Sequence, residues 1–142
     1  LNAESRRISI AYEDNQEAYL LGDRNQILMA IHNLIENAIN YSPDSTRVAI
    51  ALKTKNDLAE ISVSDQGIGI PEKDLERIFE RFYRVDPARS RLTGGTGLGL
   101  SIVKHIATNH GGDVSVWSVE GAGSTFTIRF PLTNLSNLET SK

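Results

Sequence analysis

The run Gly94-Gly95-Thr96-Gly97-Leu98-Gly99-Leu100-Ser101 stands downstream of Asn33-Leu34-Ile35-Glu36-Asn37-Ala38 and of Asp65-Gln66-Gly67-Ile68-Gly69. A glycine cluster that opens a helix offers unpaired backbone N–H groups and the positive end of the helix dipole to phosphate oxygens, with no Cβ to hold the ligand away. Alone it is unspecific. It lacks the Lys-Ser/Thr ending of a P-loop, and no strand leads directly into it as a dinucleotide fold requires. With the paired asparagines and the Asp-x-Gly-x-Gly element, in this order and spacing, it makes a nucleotide site.

The asparagines need a helix to bring them together. At about 100° per residue, Ile27, Ile31, Leu34, Ile35 and Ala38 form one apolar stripe, whereas Gln26, Asn33, Asn37, Asn40 and Tyr41 fall on another. Asp23, with Gln26 three residues on, resembles a capping box that starts this helix, and Ser42-Pro43-Asp44 stops it after Tyr41.

Around it the periodicity alternates between two and three-to-four. Arg6 to Tyr12 and Ala18 to Leu21 read as strands. Arg47 to Thr54 and Leu58 to Ser64 make a hairpin about Lys55-Asn56-Asp57. Pro71 opens a short helix to about Glu80, with Leu75, Ile78 and Phe79 on one side. Residues Tyr83 to Thr96 have no period and read as a functional connection, a lid over the site. A helix from Gly97 to His110 ends at Gly111-Gly112, and Val114 to Val119 with Thr125 to Pro131 form a last hairpin about Glu120-Gly121-Ala122-Gly123. This order predicts helices packed on one face of a mixed sheet.

Composition bounds the rest. At 142 residues the chain is long enough for one cored domain. It has no cysteine, which excludes disulfides and thiolate chemistry, and 15 basic against 18 acidic residues give no broad nucleic-acid surface. No run approaches the roughly 20 apolar residues that span a bilayer. Beginning at Leu1, the chain reads as a soluble piece of something longer.

These residues resemble a family. Asn33 to Ser42 is similar to the N box, Asp65 to Gly69 to the G1 box, Phe79 to Arg84 to the F box, and Gly95 to Leu100 to the G2 box of the ATP-binding catalytic domain of bacterial sensor histidine kinases. Glu120 to Phe126 looks like its last element. Asp86 to Arg91, on through His110, looks most like phosphate-responsive membrane kinases of Gram-positive bacteria. The resemblance runs from Arg6 to Leu132. It implies an α+β two-layer sandwich, the Bergerat ATP-binding fold, with a mixed sheet of about five strands backed by three helices. Residues 1–132 would be the catalytic domain and 133–142 a tail.

By the same resemblance, Asp65 would accept a hydrogen bond from the adenine amino group while Gly67 and Gly69 let backbone approach the base. Asn37 would place a neutral oxygen on Mg²⁺, Asn33 would support that shell or a phosphate oxygen, and Tyr41 would lie near sugar or base. Gly95, Thr96, Gly97, Leu98, Gly99 and Leu100 would hold the phosphates, with Thr125 near adenine. Arg84 would meet charge on the γ-phosphoryl group during transfer. Asn40 departs from the family, which often has lysine there; Lys104, Arg84 or Arg89 would then carry phosphate affinity.

Other groups read as structural. Asp74, Glu76 and Glu80 with Arg77 and Arg81 suit a solvated helix face, Glu36 a peripheral place, Trp117 strand packing, and His110 a helix C-terminus. Hydrolases and serine kinases of the superfamily typically carry glutamate one turn before the metal-binding asparagine, where it deprotonates water or a hydroxyl. Here that residue is Asn33, which favours a histidine acceptor, whose neutral ring already presents a lone pair. Neither His32, His105 nor His110 has the acceptor's sequence context. The resemblance therefore implies a separate dimerisation domain with the acceptor histidine, a homodimeric full-length membrane sensor with this domain in the cytoplasm, and a cognate response regulator. A non-enzymatic ATP-binding or docking module is the competing reading, on the strength of Asn40.

Overall fold

The computed structural model describes residues 9–13, 20, 22–42, 46–80 and 99–132. Five strands form one sheet in the order β1-β2-β3-β5-β4: β1 Ser9–Glu13, β2 Arg47–Lys55, β3 Leu58–Asp65, β4 Asp113–Val119 and β5 Gly123–Pro131. The β1–β2 pair is parallel and the others are antiparallel, so the sheet is mixed as expected. A parallel pair needs a long crossover, and the segment holding helix α1, Arg24–Tyr41, supplies it. The segment Arg6 to Ser9 of the first expected strand and the strand at Ala18 to Leu21 fall largely outside the described residues.

Helix α1 starts where the capping signal puts it: the Asp23 side chain accepts from the Gln26 N–H at 3.1 Å. At the other end the Ser42 hydroxyl, fully buried, donates to the Ala38 carbonyl at 2.7 Å. Lys55 and Leu58 pair across a two-residue turn, and Asn56 and Asp57 both take positive φ, 51° and 62°, the left-handed pair a type I′ hairpin requires. Helix α2, Gly99–Asn109, ends with Gly111 N–H bonded to the Thr108 carbonyl and Gly112 N–H to that of Ala107, the Schellman pattern.

Both helices lie on one face. Helix α1 packs on β2 and β3, α2 on β4 and β5, and the two helices pack on each other. Their apolar stripes meet Val48, Val63, Phe126, Ile128 and Phe130 from the sheet in one core that includes Leu34, Ala38, Val103 and Ile106.

The expected third helix, from Pro71 to about Glu80, is not an α-helix. A 3-10 turn at Glu72–Asp74 is followed by further turns, each closed by an i to i−3 bond: Asp74 to Pro71, Leu75 to Glu72, Arg77 to Asp74 and Glu80 to Arg77. A segment this short gains too little from propagation to offset nucleation, and the tighter turns suffice to seat Ile78 in the core and Phe79 edge-on to Phe126 at 6.2 Å. Nor is Asp74 solvated; it is buried, while Arg77 and Glu80 form the exposed ion pair at 3.2 Å.

Candidate functional site

Asp65 is the last residue of β3, and both hydrogen bonds its carboxylate takes among the described residues go to one oxygen. Oδ1 accepts from Gly67 N–H at 2.8 Å and Ser124 N–H at 3.2 Å. The first is an Asx turn, the geometry an aspartate adopts when it bonds the backbone two residues on. Oδ2 takes none from the described residues. Burial pushes the carboxyl above the usual carboxylate value, against the pull of the two N–H groups.

The loop after Asp65 is fastened to the β4–β5 turn. Ile68 carbonyl accepts from Gly121 N–H at 2.6 Å, and Ile70 N–H donates to Ser118 Oγ at 2.8 Å. Two glycines permit this approach. A methyl group on Gly69, at φ +75°, would overlap the Val119 carbonyl, and one on Gly123, at φ +125°, would overlap that of Asp65. The open side of Gly69 therefore faces the hairpin backbone. Gly67 is buried and serves Asp65 through its N–H.

Two links set the direction of α1. Asp23 N–H, at its start, donates to Nε2 of His110, which follows the end of α2, at 3.0 Å, while His110 Nδ1 lies 2.8 Å from the Ile106 carbonyl. The start of α1 thus meets the end of α2, and the helices run antiparallel. Beyond the other end of α1, Arg47 N–H donates to Gln66 Oε1 at 2.9 Å, next to Asp65. The C-terminal half of α1, with Asn37 and Asn40, and the N-terminus of α2 consequently share one end of the sheet with Asp65 and the β4–β5 turn.

Asn33 and Asn37 are half-buried, and neither side chain has a hydrogen-bond partner among the described residues. Asn40 is half-buried and partnered, and Tyr41 closes the helix. Glu36 faces His32 at 3.9 Å, peripheral as expected. At Gly99, the first residue of α2, nothing among the described residues lies near the position a Cβ would take, and Leu100 packs against the core. Lys104 is exposed on α2. Gly95, Thr96, Gly97, Leu98, Arg84 and Arg89, with the lid at Tyr83 to Thr96, lie outside the described residues.

Thr125 is not brought to Asp65. It pairs with Ser64 and bonds its hydroxyl at 2.9 Å, on the sheet face away from the helices. The residue opposite Asp65 is Ser124, and because successive strand residues point to opposite faces, one step of register separates the two environments. Ser124 and Ser118, whose hydroxyls are 2.8 Å apart, are the polar groups the sequence reading missed. The inward alternation Phe126, Ile128, Phe130 carried the signal, since Ser124 continues it and Thr125 does not. Trp117 shares the face of Thr125 and is 64% exposed rather than packed.

A mixed sheet covered on one face by two antiparallel helices has the layout of a nucleotide-binding α/β sandwich, with a carboxylate oxygen and two amides at one end that have no partner among the described residues. Residues 22–134 match the family described as Histidine kinase-, DNA gyrase B-, and HSP90-like ATPase. The sensor-like histidine kinase SenX3 of Mycolicibacterium smegmatis is 52% identical over 129 residues, covering 91% of this chain and 34% of SenX3. The solved structure of the mycobacterial sensor histidine kinase MprB superposes with a TM-score of 0.80 at 29% identity, over 94% of this chain and 90% of that one. Full-length ShkA in complex with AMPPNP superposes at 0.79 with 27% identity, over 94% of this chain and 27% of that one. The chain belongs to this ATPase family, as an ATP-binding catalytic domain of the sensor histidine kinase type. It spans about a third of the length of the SenX3 relatives it matches.

Proposed function

We propose that the domain binds Mg-ATP at the end of the sheet marked by Asp65 and transfers the γ-phosphoryl group to a histidine on a dimerisation domain outside this chain, as one step of two-component signalling to a response regulator. The observation that carries the base-binding part is Asp65 Oδ2: a carboxylate oxygen that no described residue bonds, while Oδ1 is held by two amides, suits the amino group of adenine. The amides of Asn33 and Asn37, without a partner among the described residues, suit the phosphate end, where Mg²⁺ would neutralise charge. Asn37 would hold the ion through its carbonyl oxygen, which fits a cation that takes most of its ligands from phosphate and water. Arg84 and the glycine run from Gly95 to Gly99 complete the phosphate grip in this reading. We place the domain on the cytoplasmic side of a homodimeric membrane sensor, where ATP is available; no helix among the described residues is long and apolar enough to cross a membrane.

Asn33 bears on the choice of acceptor. An amide cannot take the proton that a serine kinase or hydrolase must remove, whereas neutral imidazole needs no such base. The domain alone should bind ATP, turn it over very slowly and acquire no phosphate. Mixed with its dimerisation hairpin and radiolabelled ATP, it should give an acid-labile, base-stable phosphoprotein. Arg84→Ala should lower the transfer rate by on the order of a hundredfold while changing ATP affinity far less, because its charge meets charge that develops during transfer. Rapid turnover by the lone domain would mean a hydrolase, and an acid-stable product a hydroxyl kinase. A non-enzymatic module is not favoured, since relatives across most of the chain are named as kinases.

A further inference from the structure

We infer that Ser118, which touches neither Asp65 nor the open end of the site, is a positioning residue that sets which purine the domain accepts. The hydroxyl protons around Ser118 can each be assigned, and the inference rests on the reading of Asp65 as the group that meets the base. Ser118 Oγ has three neighbours: Ile70 N–H at 2.8 Å, the Gly123 carbonyl at 3.0 Å and Ser124 Oγ at 2.8 Å. A hydroxyl has one proton and two lone pairs. The Ile70 N–H can only donate, so it occupies a lone pair. The Gly123 carbonyl can only accept, so it takes the proton. The third contact then has one solution, in which Ser124 donates its own proton to Ser118.

The consequence falls at the site. Ser124 stands opposite Asp65 on the same sheet face, and its N–H already serves Asp65 Oδ1. With its hydroxyl proton drawn toward Ser118, Ser124 has only lone pairs left to present. Ionised Asp65 Oδ2 likewise only accepts. This corner of the site is therefore acceptor-only, matched to a ring amino group with two N–H donors and mismatched to a ring carbonyl. Ser118 enforces that polarity from β4, through β5, without contacting ligand. It fastens the loop at Ile70 in the same stroke, so polarity and loop position are set by one hydroxyl.

The test compares ATP with inosine triphosphate, which carries a 6-oxo group in place of the 6-amino group and leaves the sugar and phosphates unchanged. Ser118→Thr keeps the hydroxyl, and Ser118→Val has nearly the same shape without it. Calorimetry should give Ser118→Thr the wild-type ratio of the two dissociation constants. In Ser118→Val the freed Ser124 proton can turn to the ligand, so the preference for ATP should shrink about tenfold, with binding of inosine triphosphate improved relative to ATP. Ser124→Ala, which leaves the Ile70 and Gly123 bonds of Ser118 in place, should also narrow the preference and serves if Ser118→Val fails to fold. A merely structural Ser118 would weaken both nucleotides by one factor. An unchanged ratio in Ser118→Val, or in Ser124→Ala should the former not fold, overturns the proposal. Asp65→Asn separates the two levels. If it leaves the wild-type ratio intact, the reading of Asp65 fails; if it collapses the ratio while the serine variants do not, only the role of Ser118 fails.

Discussion

At Asp65 the proposed role in binding the base runs against stability. Burial holds its carboxyl above the usual value, so the folded state binds this proton more tightly than the unfolded chain does. Stability from this group is then greatest below the ordinary aspartate value of about 3.9 and is lost as pH rises through the raised folded value, which leaves a destabilising charge at neutral pH. Asp65→Asn retains an acceptor for the Gly67 and Ser124 amides and removes the charge. It should raise Tm at pH 7 by on the order of a few degrees while weakening ATP, and the gain should fade toward pH 4 as the wild type takes up its proton. Wild-type ATP affinity should fall on acidification at a pH higher than that at which an exposed aspartate titrates. Thermal melts and calorimetry from pH 4 to 8 check both. A variant that melts lower than the wild type by a constant margin at every pH would contradict the argument.

At the scale of elements, two glycines that look equivalent in sequence have different work. Gly69 is held at positive φ against the hairpin backbone, whereas no described residue comes near the place a Cβ on Gly99 would take. Gly69→Ala should cost roughly 1–3 kcal/mol, because the strained φ and the overlap with the Val119 carbonyl act together, and ATP affinity should drop as the loop loosens. Gly99→Ala should leave stability equal or better by up to about 1 kcal/mol, since alanine suits a helix, yet weaken ATP if phosphate approaches that backbone. Urea unfolding with calorimetry separates the two, and a Gly99→Ala variant with unchanged ATP affinity would remove Gly99 from the phosphate grip. What could be read in the sequence follows the same division. The Asp23 cap, the Asn56-Asp57 turn and the glycine end of α2 were legible because each is a local bond between near neighbours. The turns after Pro71 and the face of Thr125 were not. The first depends on how little a short segment gains from extending a helix, the second on a register fixed only when β5 pairs with β3. Asp65 stands out in the sequence as a candidate from its motif, but its partner Ser124 comes from 59 residues away and needed the assembled sheet.

For the molecule as a whole, the helices cover one face of the sheet and leave hydroxyls on the other, where Ser62 meets Thr127 and Ser64 meets Thr125. Arg129 binds this face together, bonding Glu60 at 2.6 Å, Asp113 at 3.1 Å and Ser115 at 2.9 Å. Trp117, the one tryptophan in the chain, projects from the same face, pairs with Thr125 and is 64% exposed. Because Asp65 and Ser124 project from the helix-covered face, the sheet itself stands between the proposed base site and the indole. Trp117 emission should accordingly be that of a solvent-exposed ring and should stay unchanged in wavelength and intensity when ATP binds, once absorption by the nucleotide is corrected. Thr125→Val, which removes a hydroxyl from the far face, should keep ATP affinity within about twofold, since the lost bond to Ser64 lies outside the site. A fluorescence change that saturates at the ATP dissociation constant, together with a tenfold loss in Thr125→Val, would mean that nucleotide engages the open face and that Asp65 is not where the base is read.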